Sequence, residues 1–147
     1  MTPDVNVLVA AFRTDHVHHK LAHGWLVSTR DACVRGRESL TVLPMVAVGF
    51  LRVVTSARVF KHPDSIDDAL AFVDALLASP GIELRSATHE WPLLRAKLSK
   101  PHLTGNLVTD AWIAASVEAC SEHLVTFDRD FKRLLSARDV TVLGASA

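Results

Sequence analysis

Hydrophobic positions along the chain fall into alternating helical and strand periods. From Ile66 to Ala78, residues Ile66, Ala69, Leu70, Val73, Leu76 and Leu77 recur on one face, which predicts an amphipathic surface helix. Ser65 and Asp68 have capping-box spacing at its start, and Ser79-Pro80-Gly81 ends it. Ile82 and Leu84 then alternate with Glu83 and Arg85, as in a short strand. A second helix is predicted from His89 to Leu98, where Trp91, Leu94 and Leu98 keep helical spacing and Pro92 is tolerated in the first turn. Pro101 and Gly105 punctuate Ser99 to Asn106, and the alanine-rich, aliphatic run from Leu107 to Cys120 predicts a largely buried helix.

Two β-prone runs, His123 to Phe127 and Val140 to Leu143, flank a polar helical stretch around Asp130 to Leu135. The carboxyl half therefore reads β, α, β, which points to an α/β fold with a parallel sheet covered by helices. In the amino half, Leu40 to Leu43 predicts a strand, and Pro44 is placed to open a helix over Met45 to Val54. Val5-Asn6-Val7-Leu8-Val9 is rich in β-branched residues yet continues into Ala10-Ala11-Phe12, so its pattern leaves helix and strand both open. No repeat or low-complexity tract interrupts this order.

A chain of 147 residues with 49% hydrophobic content suffices for one core, so a single domain over 1–147 without a linker is expected. Lys plus Arg and Asp plus Glu both number 16, which excludes a generally basic coat. Nucleic acid would have to be met by a local patch or through metal. Cys33 and Cys120 form no C-x-x-C, so buried reduced thiols are expected in place of a disulfide scaffold or thiolate zinc site. The amino terminus lacks the features of a secretory signal. The longest apolar stretch, Leu43 to Leu51, contains Pro44 and Gly49 and is too short to cross a bilayer. A soluble, cytoplasmic protein with no membrane association is expected. Neither G-x-G-x-x-G nor a Walker sequence occurs.

The candidate chemistry lies in aspartates. Open parallel sheets place their sites beyond the carboxyl ends of strands, where Asp128 follows Leu124-Val125-Thr126-Phe127 directly. Asp110 interrupts an apolar helix, where an ionised carboxylate is costly unless it meets a cation or strong donors. Asn106 stands four residues before it, on the same helical face if the helix begins early enough. Asp4 borders the first apolar run. Taken singly, Asp4 reads as a cap or surface residue and Asp128 as the cap of the next helix.

Four segments, in order, resemble the VapC-type toxins of the PIN-domain family. They are Asp4-Val5-Asn6-Val7-Leu8-Val9-Ala10-Ala11, Gly49-Phe50-Leu51-Arg52-Val53-Val54-Thr55, Gly105-Asn106-Leu107-Val108-Thr109-Asp110-Ala111 with Ala114-Ala115, and Thr126-Phe127-Asp128-Arg129-Asp130-Phe131. The resemblance covers nearly the whole chain. It implies a three-layer α/β/α fold with a central parallel sheet, an acidic pocket holding Mg²⁺ or Mn²⁺, cleavage of RNA, and a symmetric homodimer paired with a VapB-type antitoxin. It makes Asp4 and Asp110 the principal metal ligands, Asp128 a further ligand or a group that supports the ligands from behind, and Asp130 a catalytic residue of the same motif with a less defined duty. Such a set suits magnesium, a hard cation that prefers carboxylate, water and phosphate oxygens and activates water for in-line displacement. Thr126 and Asn106 are read as supporting residues for ligand or water. Arg52 is a candidate phosphate contact, with Arg13, Arg129, Lys132 and Arg133 as weaker ones.

The chain departs from the family twice. Many PIN domains carry a glutamate where Gly49 stands, and its absence favours one metal over two. Only Met1-Thr2-Pro3 precede Asp4, so either the first strand is very short or the natural start lies upstream. The missing glutamate also motivates an alternative, a catalytically weak PIN-like module that binds RNA or protein. A rival of another class is zinc on His16, His19 and His23, whose spacing is helical; without cysteine or H-E-x-x-H beside them, a solvated helix face is expected.

Overall fold

Pro3 decides how the sheet is put together. In the computed structural model, which describes residues 1–99 and 104–144, the first strand is only Thr2–Pro3 (β1). It pairs in parallel with Leu124–Thr126 (β4), Thr2 opposite Leu124, and β4 pairs in parallel with Val140–Val142 (β5). On the other side of β1 stands Leu40–Val42 (β2), itself parallel to Ile82–Leu84 (β3). The Met1 N–H donates to the Ser39 carbonyl at 2.9 Å and the Met1 carbonyl accepts from the Thr41 N–H at 2.8 Å, the alternation of a parallel ladder. Pro3 has no N–H with which to continue it, so the ladder stops after one step. The strands thus form a three-stranded sheet, β1-β4-β5, and a two-stranded one, β2-β3, whose β2 lies beside β1. Residues of β2 and β4 are buried throughout, as expected for strands covered on both faces, while β3 and β5 at the edges are partly exposed.

The segment left open by pattern is a helix, Val5–Phe12 (α1), because Asp4 caps it and the sheet needs no further strand there. It packs against His19–Val34 (α2) and Pro44–Val54 (α3), and α3 packs against Ile66–Leu77 (α4). Phe12, Phe50 and Phe72 join α1, α3 and α4 through ring pairs 5.2 to 5.4 Å apart. Pro44 opens α3 as expected, and the Ser65 hydroxyl oxygen accepts from the Asp68 N–H at 3.0 Å to cap α4. The α4 helix ends one residue earlier than its pattern predicts.

In the carboxyl half, Glu90–Leu98 (α5) packs along Asn106–Ala119 (α6), and the buried Lys97 locks the pair. Its ammonium donates to Glu118 at 2.7 Å and to the Leu134 carbonyl at 2.6 Å. As expected, α6 is largely enclosed: Ala111 and the whole run Ile113 to Val117 are buried, whereas Val108 and Trp112 are exposed. The polar stretch before β5 is a short 3-10 turn, Arg129–Arg133.

Gly49 lies where α3 meets α1. A β-carbon added there would stand 2.7 Å from Val5 Cγ2, inside contact distance, so the glycine permits the two helices to approach beside Asp4. A glutamate at this position would have to push Val5 aside, a packing reason for its absence. Gly49→Ala is expected to lower stability by about 1–2 kcal/mol, overpacking outweighing the gain in helix propensity. Thermal unfolding followed by circular dichroism reads this as a melting temperature roughly 2–6 °C lower.

Candidate active site

Strands run outward from β1 through β2 on one side and from β4 through β5 on the other, so the order reverses between β1 and β4. A crevice opens beyond the carboxyl ends of strands at such a point. Asp4 follows β1 and Asp128 stands two residues beyond β4. Asp4 is buried and fixed through both oxygens: Oδ1 accepts from the Val5 N–H at 2.7 Å, and Oδ2 accepts from the Thr126 hydroxyl at 2.7 Å.

Thr126, fully buried, uses its whole hydrogen-bonding capacity here. While donating to Asp4, Oγ1 accepts from Asn6 Nδ2 at 3.2 Å and from the Asp128 N–H at 2.9 Å. Asn6 Oδ1 in turn accepts from the Phe127 N–H at 3.1 Å. A single hydroxyl thus ties Asp4, the start of α1 and the loop bearing Asp128 into one unit.

Asp110, from the first turns of α6, completes the acidic wall of a cleft of about 620 Å³ that Asp4, Asn6, Arg52 and Asp128 also line. His16 and the apolar Val53, Val59 and Phe60 form the remaining sides with Ile113. Burial pushes the Asp4 carboxyl up to about 6, against the Thr126 and Val5 hydrogen bonds that favour its charged form; Asp128 adds repulsion. Burial also raises Asp110 to about 6, with further repulsion from Asp4, Asp128 and Asp130. The cluster is a concentration of negative charge that a cation would relieve.

Among the described residues, no three His, Cys, Asp or Glu side chains gather closely enough to enclose an ion by themselves. Hard oxygen donors at a cleft floor fit an ion that keeps part of its water shell and takes one or two carboxylates, which is how magnesium binds.

The sequence-predicted residues do not all converge. Asp128 fills both of its readings, lining the cleft while Oδ1 accepts from the Asp130 N–H at 2.8 Å to cap the 3-10 turn. Asp130 is exposed, lies 3.7 Å from Arg133, and is absent from the cleft lining; it acts on Asp110 only through space. Arg52 does line the cleft. Asn106 begins α6, and its side chain lies outside the described residues.

Arg13 is not a phosphate contact. It is buried between Asp15, at 2.7 Å, and Asp64, at 2.5 Å, with its guanidinium 4.0 Å above the Phe60 ring. There it holds the loop that supplies Val59 and Phe60 to the cleft. Nor do the three histidines share a face. His16 lines the cleft, whereas His19 Nδ1 bonds the Ala10 carbonyl at 3.0 Å and its ring lies beside His23.

Sequence reasoning misses Asn6 and His16 as parts of this site. Asn6 carries a signal, its place two residues after Asp4 in a family-like segment; His16 carries none. His16 Nδ1 accepts from the His18 N–H at 3.1 Å, which assigns the ring proton to Nε2. Burial, with His18 beside it, holds the His16 imidazole below its usual range, so it is neutral near pH 7.

The chain resembles known proteins over most of its length. The PIN domain family profile matches residues 1–135. Ribonuclease VapC43 of Mycobacterium tuberculosis is 38% identical over 136 residues, covering 92% of this chain and 90% of its own. The crystal structure of VapC20 of Mycobacterium tuberculosis, a sarcin-ricin loop cleaving toxin, superposes with a TM-score of 0.63 at 15% identity, over 90% of this chain and 92% of that one. VapBC2 from Rickettsia felis, bound to a DNA fragment from its promoter, gives 0.64 at 18% identity, over 95% and 96%.

Proposed function

The chain belongs to the PIN domain family, and from that premise we propose that it is the toxin of a toxin–antitoxin pair, an endoribonuclease that cleaves RNA phosphodiester bonds with a divalent cation, Mg²⁺ or Mn²⁺. The observation that carries this reading is the joint presentation of Asp4 and Asp110 to one cleft, both with their pKa raised to about 6 by burial, with repulsion from neighbouring carboxylates adding to it. Asp4 and Asp110 would hold the ion, with Asp128 as a further ligand or as a partner to its waters. When bound, the ion lowers the pKa of water and neutralises charge on the phosphate. Thr126 and the Val5 N–H fix the Asp4 carboxylate so that it need not reorganise during reaction. Asn6 orders the backbone leading to Asp128, and Arg52 meets the substrate phosphate.

The partner in this reading is an antitoxin of the VapB type, and the toxin itself pairs as a homodimer. Among the described residues no helix is long and apolar enough to cross a membrane. The test is incubation of purified protein with total cellular RNA. Cleavage in Mg²⁺ or Mn²⁺ that stops with EDTA is expected; intact RNA under both metals would refute the reading.

The acidic pair also sets a pH dependence. Both carboxyls hold their proton more tightly folded than unfolded, where they titrate near 4. Their contribution to stability is therefore full below pH 4 and is lost as pH rises through about 6. For Asp4 the loss is on the order of 2 kcal/mol. Metal-free protein is expected to melt at a lower temperature at pH 8 than at pH 5. Added Mg²⁺ restores stability at pH 8 and does little at pH 5, because the ligands must be ionised to bind. Melting curves at the two pH values, with Mg²⁺ or EDTA, check both effects.

A further inference from the structure

The loop between α1 and α2 brings histidines to the rim of the acidic cleft in an arrangement that metal binding does not use. His16 lines the cleft with its proton assigned to Nε2, because Nδ1 is occupied by the His18 N–H. His18 lies 5.7 Å from His16, ring centroid to centroid, and is stacked on Phe127 at 4.5 Å and 15°, nearly parallel. Phe127 belongs to the segment that carries Asp128, and its backbone N–H is fixed by Asn6. The stack is therefore built onto the same unit as the acids. His18 itself is exposed.

Resting on the ribonuclease reading above, we propose that this rim is the substrate-binding edge for single-stranded RNA: His16 donates its Nε2–H to the RNA held in the cleft, and the His18–Phe127 stack receives an unpaired base next to the scissile phosphate. Unpaired bases are what a protein can stack on aromatic rings, whereas duplex bases are already stacked, so the edge selects unpaired RNA over duplex. An imidazole whose Nδ1 is already occupied presents its Nε2–H as a fixed donor for a phosphate or base oxygen.

The test measures binding and cleavage of a short fluorescein-labelled single-stranded RNA of mixed sequence by wild type, His16→Ala, His16→Gln, His18→Ala and His18→Phe. Anisotropy with Ca²⁺ in place of Mg²⁺ reads binding, and Mg²⁺ assays give KM and kcat. His16→Ala and His18→Ala are expected to raise Kd and KM about tenfold each, with kcat changing less than KM, the loss of one hydrogen bond or one base stack. His16→Gln, which keeps a donor, and His18→Phe, which keeps the stack, should recover most of the loss. A Mn²⁺-induced rise in melting temperature equal to that of wild type in all four variants separates this edge from the metal site. Unchanged Kd and KM in both alanine variants, with wild type binding and cutting normally, would overturn the edge and leave the ribonuclease reading standing. A wild type that neither binds nor cleaves RNA would overturn both.

Discussion

Asp110→Asn is expected to reduce RNA cleavage about a thousandfold or more, a loss of several kcal/mol of transition-state stabilisation, while leaving α6 folded. Asparagine keeps the shape of the side chain and removes the charge. Asp110 is half-buried and repelled by Asp4, Asp128 and Asp130, so nothing in the metal-free protein depends on its being ionised. The same change is expected to make the metal-free protein more stable at pH 8, because it removes the repulsion that burdens the folded state above pH 6. Loss of activity with gain of metal-free stability distinguishes a functional carboxylate from a structural one. Cleavage assays and melting curves on the same preparation read the two effects, and a destabilised Asp110→Asn protein would count against the electrostatic argument.

Thr126→Val has the second largest expected effect, roughly 10- to 100-fold on cleavage, the usual cost of removing a group that orients a metal-binding side chain. Valine fills the same volume but cannot donate to Asp4 Oδ2 or accept from Asn6 and the Asp128 N–H. These groups lose their partner in a buried place, so stability should also fall by about 1–3 kcal/mol. Thr126→Ser restores the hydroxyl and should recover most of the activity. Equal activity in the valine and serine proteins would mean that Asp4 is held by the Val5 N–H alone.

The contrast between these two residues marks what is legible in the sequence. Asp110 stands out locally, a carboxylate among Ala111, Trp112 and Ile113, and the cost of its charge follows from those chain neighbours alone. Thr126 does not stand out. Its importance rests on contacts with residues more than a hundred positions away, which no local pattern encodes. Likewise α4 is readable from its apolar stripe and cap, but α2, the longest helix, is not. It buries only Ala22, Leu26, Thr29 and Cys33, a stripe too narrow and too polar to announce itself.

The amino-terminal ambiguity is real in physical terms. Val5 to Val9 has β-branched residues that suit a strand, and the deciding factor is Asp4, whose side chain caps the helix at its first N–H. Asp130 illustrates the opposite failure. It shares a segment with Asp128, yet the tight 3-10 turn that Asp128 caps carries Asp130 out to solvent. Family likeness puts both in the pocket, and only the backbone separates them. Gly49, conspicuous as a missing carboxylate, is explained by the close approach of Val5, a contact between helices that sequence alone does not reveal.

The central claim is that Asp4 and Asp110 act as one cation site for RNA cleavage. The most direct measurement is the initial rate of RNA cleavage in Mg²⁺ by purified wild type, Asp4→Asn, Asp110→Asn and the double variant, each repeated in EDTA. The expected result is that both single variants and the double variant fall to the same floor as wild type in EDTA, since removing one member of a joint site removes the function of both. Wild-type cleavage that persists in EDTA, or an Asp110→Asn protein that cuts RNA as fast as wild type, would contradict the claim.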